Sequence, residues 1–287
     1  MKKNCETIIN SFVKWCFFIS IGILLPSCYE IERGCLDVNA NNYDIDADEA
    51  CTDDCCTFPS ITLSISHKFT KSTGEANLIV QDSVYEDDFG NPYRFEAIKY
   101  WISDLTFSGD ETINITDLIE LDLVDGSSAS IREDYALVDA SSFASYGLGN
   151  ISGGGNFTEL SYKVGLTQLT NSVDFDALPS DNILADSTVY RSADEGYNFM
   201  EIELYRDTSS TSTPVSIEIG LDQNLTSIAH DIDFSLPKGS NISLTLKVDY
   251  ALLMAGIDVV NDEIGQIESS IVNNIANAFF VIAVTAN

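Results

Sequence analysis

The sequence predicts an all-β protein: a β-sandwich with one late amphipathic helix, preceded by a small, disulfide-stapled acidic module. Three observations carry that expectation. Apolar and polar residues alternate with a period of two in segments spread from about residue 60 to the C-terminus. One late segment instead repeats its apolar residues at helical spacing. All seven cysteines fall within the first 56 of 287 residues, where the chain is too short and too acidic to form a core of its own.

The chain begins with Lys2 and Lys3, followed by a mostly apolar stretch over residues 12–25 (FVKWCFFISIGILL). That is shorter than the roughly 20 residues a helix needs to cross a bilayer. A basic start and a short apolar core predict an export signal over residues 1–27, removed from the mature protein. It ends in Leu25-Pro26-Ser27-Cys28, which resembles the lipobox of bacterial lipoproteins. The resemblance implies that Cys28 is lipidated and becomes the first residue of an outer-membrane lipoprotein facing the periplasm or the cell surface. A plain secretory signal with a chance cysteine is the alternative. Cys5 and Cys16 are discarded on either reading.

Residues 28–58 then form the anchor and the cysteine-rich module. Cys35, Cys51, Cys55 and Cys56 remain, and an even number in an exported chain implies disulfides. Neighbouring Cys55 and Cys56 cannot easily bridge each other, so each is expected to reach back to Cys35 or Cys51. Zinc is the rival reading, but adjacent cysteines do not match the C-x2-C spacing of such sites. The loop between is rich in oxygen ligands, and Asp44-x-Asp46-x-Asp48 copies the opening of an EF-hand loop. Asp37, Asp44, Asp46 and Asp48 are therefore candidate calcium ligands. The EF-hand pattern breaks at Glu49, where glycine belongs, and at Cys55, where glutamate belongs. The string from Gly34 to Asp44 resembles cysteine-bounded segments of exported proteins from Bacteroidota-type bacteria.

Charge narrows the partners. The chain carries 14 basic and 45 acidic side chains; three lysines and one glutamate lie within residues 1–27, so the remainder has a net charge of −33. Nucleic acid is excluded as a partner, because phosphate contacts need clustered Lys and Arg. Anionic membrane surfaces repel such a chain, which makes a lipid on Cys28 a more sensible tether than a basic patch. An apolar content of 45% is enough for a substantial core.

Residues 59–287 read as one domain. In ITLSISHKF, residues Ile61, Leu63, Ile65, His67 and Phe69 share a face; in SIAHDIDFSL, so do Ile228, His230, Ile232, Phe234 and Leu236. FMEIELY, PVSIEIGL, ISLTLKVDY and FFVIAV alternate likewise. Turns are signalled by residues 89–92, by Gly153, Gly154 and Gly155, and by Pro237-Lys238-Gly239. The helix is expected over residues 262–276, where Ile264, Ile267, Ile271 and Ile275 recur and Asp262 and Glu263 favour its N-terminus. The only two histidines, His67 and His230, both lie on apolar strand faces. Each can be an ordinary core histidine; together they are candidate metal ligands, since inward imidazoles are how a sandwich builds a buried site.

Four segments follow in order: AIKYWISDLTFSG (97–109), YALVDASSFASYG (135–147), ELSYKVGLTQLTN (159–171) and EGYNFMEIELY (195–205). With SHKF near the first strand and YALLMAGIDV before the helix, they resemble the MbnP-like domain over about residues 60–284. That family is named for a periplasmic protein associated with methanobactin, a copper-binding peptide. The resemblance implies an extracytoplasmic β-sandwich that in some members binds copper through two histidines and an oxidised tryptophan. His67 matches a family histidine. The Trp-x-Trp pair that family members often carry before the Gly-Tyr pair is replaced here by Arg191-Ser192-Ala193. A family histidine two residues before a glycine is replaced by Glu218, ahead of Gly220. Trp101, the sole tryptophan after residue 27, belongs to another motif and reads as core.

Enzyme motifs are missing: no Gly-x-Ser-x-Gly elbow, no His-Glu-x-x-His, no phosphate loop. With so many carboxylates a chance acid pair is certain, so a glycosidase-type dyad cannot be argued. The leading expectation is a tethered, non-catalytic binding lipoprotein with copper in an altered MbnP-like site. The alternative is a metal-free structural module or one that binds a protein or glycan.

Overall fold

The computed structural model describes residues 30–52, 55–208 and 212–287. The expected signal segment and Cys28 lie outside the described residues. The principal strands are β1 (Ser60–Lys71), β2 (Pro92–Gly109), β3 (Ala136–Asp139), β4 (Ser145–Asn150) and β5 (Gly155–Val164), followed by β6 (Gly196–Tyr205), β7 (Val215–Gly220), β8 (Thr226–Leu236), β9 (Ile242–Asp249) and β10 (Phe279–Ala286). One long helix, α1 (Ile264–Ala278), precedes the last strand. Every segment that alternates in the sequence is a strand.

Two sheets pack face to face. The first, of nine strands among the described residues, is built around β2, whose length serves two neighbours in turn. Its first half pairs with β6, from Arg94 opposite Tyr205 to Tyr100 opposite Met200; its second half pairs with β5, from Ile102 opposite Val164 to Gly109 opposite Phe157. β8 pairs with β5, and β7 with β6, both antiparallel. The second sheet runs β4-β1-β9-β10. Within it β1 and β9 are parallel, with His67 opposite Val248.

Inward residues of both sheets make the main core. Ile61, Leu63 and Ile65 of β1 and Leu244, Leu246 and Val248 of β9 meet Ile98, Tyr100 and Phe107 of β2. Ile267, Ile271 and Ile275 of α1 join this core where the helix lies against β7, β8 and β10. The helix starts two residues later than the sequence suggests. Asp262 is held outside it, its Oδ2 accepting from Asp258 N at 2.9 Å, while Gln266 Oε1 accepts from Glu263 N at 3.1 Å to cap the first turn.

A second, smaller core lies on the outer face of the first sheet, where the segment between β5 and β6 folds back over it. Trp101 sits there, fully buried and edge-on to Tyr135 and Tyr197 at 6.2 and 6.1 Å. The core role expected of Trp101 agrees with that burial.

The N-terminal module has little apolar interior: Cys35 and Ala40 are its buried residues. Disulfides Cys35–Cys56 and Cys51–Cys55 close it, so Cys55 and Cys56 each reach back, as their adjacency requires. Asn41 Nδ2 donates to Asn241 Oδ1 at 3.4 Å, joining module and sandwich; Ser60 N, at the start of β1, donates to the same oxygen at 3.0 Å.

Candidate functional site

Alternation in β1 turns His67 into the core, where it is 6% exposed. Its Nδ1 is hydrogen-bonded to Tyr250 Oη at 2.9 Å. Burial lowers its pKa to about 4, with the Asp139 charge working weakly in the opposite direction, so the ring is neutral at pH 7. Tyr250 begins the helical turn Tyr250–Leu253 that follows β9, and the parallel pairing of β9 with β1 delivers it to His67.

His230 also faces inward, but on β8, in the other sheet, and is only half-buried. Its Nε2 is hydrogen-bonded to Tyr162 Oη at 3.3 Å, the tyrosine of the adjoining strand β5. Burial lowers its pKa too. Each imidazole is therefore tied to its own tyrosine, on its own sheet. Among the described residues, neither belongs to a group of three His, Cys, Asp or Glu donors lying within 4.8 Å of one another.

Tyr100 of β2 is buried near Tyr250 and Tyr162. Its hydroxyl is near enough to those of Tyr250, Tyr146 and Tyr162 to sense them, yet it closes no hydrogen bond of ordinary geometry. Burial, first of all, pushes the pKa values of Tyr100, Tyr162 and Tyr250 up, so these phenols stay protonated. The sequence alone offered one clue to this polar seam: tyrosines at inward positions of alternating strands.

Arg191 and Glu218 come together in one cleft of about 300 Å³, lined also by Gly220 and Glu268. Arg191 Nε pairs with Glu195 at 2.9 Å. A Cβ at Gly220 would stand 2.9 Å from both the Arg191 guanidinium and the Tyr197 carbonyl oxygen, so the glycine leaves room for both. Glu218 is opposite Glu201 on β6, and Glu201 is opposite Lys99 on β2. Burial and then the Glu203 and Glu218 charges raise the Glu201 pKa, with Lys99 partly opposing them.

In the N-terminal module three of the four expected calcium ligands accept hydrogen bonds from backbone N–H groups. Asp37 Oδ1 accepts from Asn39 N at 2.9 Å, Asp44 Oδ1 from Asp46 N at 3.0 Å, and Asp48 Oδ2 from Glu32 N at 3.1 Å. No three of the carboxylates Asp37, Asp44, Asp46 and Asp48 gather within 4.8 Å. The sulfurs of Cys51, Cys55 and Cys56 do gather, but all three are in disulfides, and a disulfide sulfur is not the thiolate that binds zinc.

No curated protein matches this chain. Among solved structures, MbnP from Methylosinus trichosporium is similar at 13% identity and a TM-score of 0.36, over 65% of this chain and 75% of that one. The family model for MbnP matches residues 59–273, from the residue before β1 into α1. That match spans most of the chain, so the chain belongs to the MbnP family.

Proposed function

We propose that the protein is an exported, lipid-anchored, non-catalytic binding module of the MbnP family, whose ligand is not a copper ion shared by His67 and His230. The export and tether reading rests on residues 1–28: the basic start, the short apolar core and Cys28 after Ser27. Among the described residues, no helix is long and apolar enough to cross a membrane. An acidic chain held at the outer membrane by a lipid would meet small molecules, proteins or glycans there.

One observation carries the copper half of the reading. The two imidazoles stand on different sheets, each bonded to a different tyrosine and neither within a three-donor group. Copper sites need several converging N or S donors, and Met200 and Met254 are the only methionines after residue 27. At the family's tryptophan and second-histidine positions stand Arg191 and Glu218, and the arginine's fixed positive charge opposes a metal cation nearby. The residues present do not fit the family's copper centre, and no chemistry is routed through one.

A second reading keeps copper, favoured by the neutral state of His67 at pH 7, which leaves imidazole free of a competing proton. Copper titration of the intact chain in detergent separates the two, with His67→Ala and His230→Ala alongside. We expect no tight, stoichiometric uptake in any of the three. Stoichiometric binding in the wild type, lost in both variants, would establish the copper reading.

A further inference from the structure

We propose that a cavity at the C-terminal end of β1 binds a small organic cation, an amine carrying a short apolar body. The inference depends on neither the lipid tether nor the copper question. The cavity is about 420 Å³, a size suited to a small molecule. It opens between the end of β1, the segment around Glu86 and the helical turn Tyr250–Leu253. Phe69 and Met254 give it apolar walls, Glu86, Asp87 and Asp88 give it negative charge, and Tyr93 contributes to its floor.

Tyr93 is the observation that points to a ligand. It is 0% exposed, and its hydroxyl has no hydrogen-bond partner among the described residues. Buried hydroxyls are ordinarily paired, and an orphan one beside a cavity is explained by a partner that arrives from outside. Its neighbour Tyr85 shows the usual arrangement, with Oη accepting from Ile79 N at 2.8 Å and donating to Ile79 O at 3.0 Å. The Tyr93 phenol also lies in the field of Asp87 and Asp88, and with its burial this keeps it protonated, able to donate and to accept.

The carboxylates set the sign of the guest. Asp87 is fixed by four hydrogen bonds, from Phe89 N, Asn91 N, Asn91 Nδ2 and Val259 N, at 2.8–3.0 Å. Asp88 Oδ2 accepts from Gly256 N at 2.7 Å, leaving its second oxygen for a guest. Glu86 is exposed at the rim. One cation opposes these three charges: Lys71, whose ammonium is held over the Tyr85 ring at 5.4 Å. A net negative cavity with apolar walls selects an organic cation over an anion. A bare metal ion fits less well, since no three of these carboxylates converge within 4.8 Å.

The test is calorimetric titration of the full chain in detergent, at low salt and neutral pH, with n-butylamine, 1-butanol and calcium chloride as probes. We expect one saturable site for n-butylamine and none for 1-butanol or calcium. Affinity for the amine should fall about tenfold in Glu86→Gln, in Asp88→Asn and in Tyr93→Phe, the loss typical of one charge-assisted or buried hydrogen bond. Glu86 is exposed, so its variant reports charge without disturbing the core. The proposal is overturned if the amine does not saturate, if the acid variants or Tyr93→Phe bind it as the wild type does, or if 1-butanol or calcium binds equally well.

Discussion

His67 is the residue whose environment most alters its chemistry. Its ordinary pKa of about 6.5 in the unfolded chain falls to about 4 in the folded one, because burial penalises the imidazolium. Between those values the unfolded state binds a proton that the folded state does not. Stability contributed by this group is therefore complete above pH 6.5 and is lost as pH falls towards 4, by about 3 kcal/mol on the one-unit rule. Asp134 works in the opposite direction. Burial, then the Asp104 charge, raises its carboxyl pKa to about 6, against the pull of Arg132 at 3.8 Å, so protonation below pH 6 favours the folded state. The difference between variants isolates each group. In denaturant titrations at pH 7 and pH 4.5, His67→Phe should lose less stability on acidification than the wild type. An identical loss in both would mean that the imidazole is not desolvated.

Helix α1 is held by one stripe. Ile267, Ile271 and Ile275 are each 0–1% exposed against the main core, and the reciprocal hydrogen bonding of Glu263 and Gln266 caps its start. Ile271→Ala should cost about 2–5 kcal/mol through lost burial and the cavity left behind. Gln266→Ala should cost about 1 kcal/mol, since it removes one arm of the cap. Thermal melts that rank these two the other way round would show the helix held by its ends and not by its packing. Strands β1 and β6 to β10 and this helix were legible in the sequence because periods of 2.0 and 3.6 are properties of local geometry that any buried face imposes; β2 to β5 were not read from alternation. The second core around Trp101 was not legible. Trp101 and Tyr197 are outward positions of β2 and β6, and the residues that cover them, Leu121, Ile131, Val173 and Leu184 among them, come from short or irregular segments whose spacing has no period to read.

At the scale of the whole molecule, module and sandwich differ in what stabilises them. The sandwich buries dozens of large apolar side chains, while the module buries Cys35 and Ala40 and depends on its two disulfides. Reduction under native conditions should therefore open residues 30–58 to limited proteolysis and leave the melting temperature of residues 59–287 nearly unchanged. A large fall in that temperature on reduction would mean that the Asn41 contact to Asn241 couples the two units strongly.

By itself the sequence determined strands β1 and β6 to β10, the late helix, the inward aim of both histidines and the pairing rule for the cysteines. Each follows from local periodicity or from the reach of adjacent residues. Only the tertiary structure decided which inward residues meet. His67 and His230 lie 163 positions apart in the sequence, and strand order puts them in different sheets, each beside a tyrosine. The cavity over Tyr93 likewise joins β1, the segment before β2 and the turn after β9, which no local pattern relates. Convergence of distant side chains is fixed by how the sheets pair and stack, and an alternation pattern records only which way a residue faces.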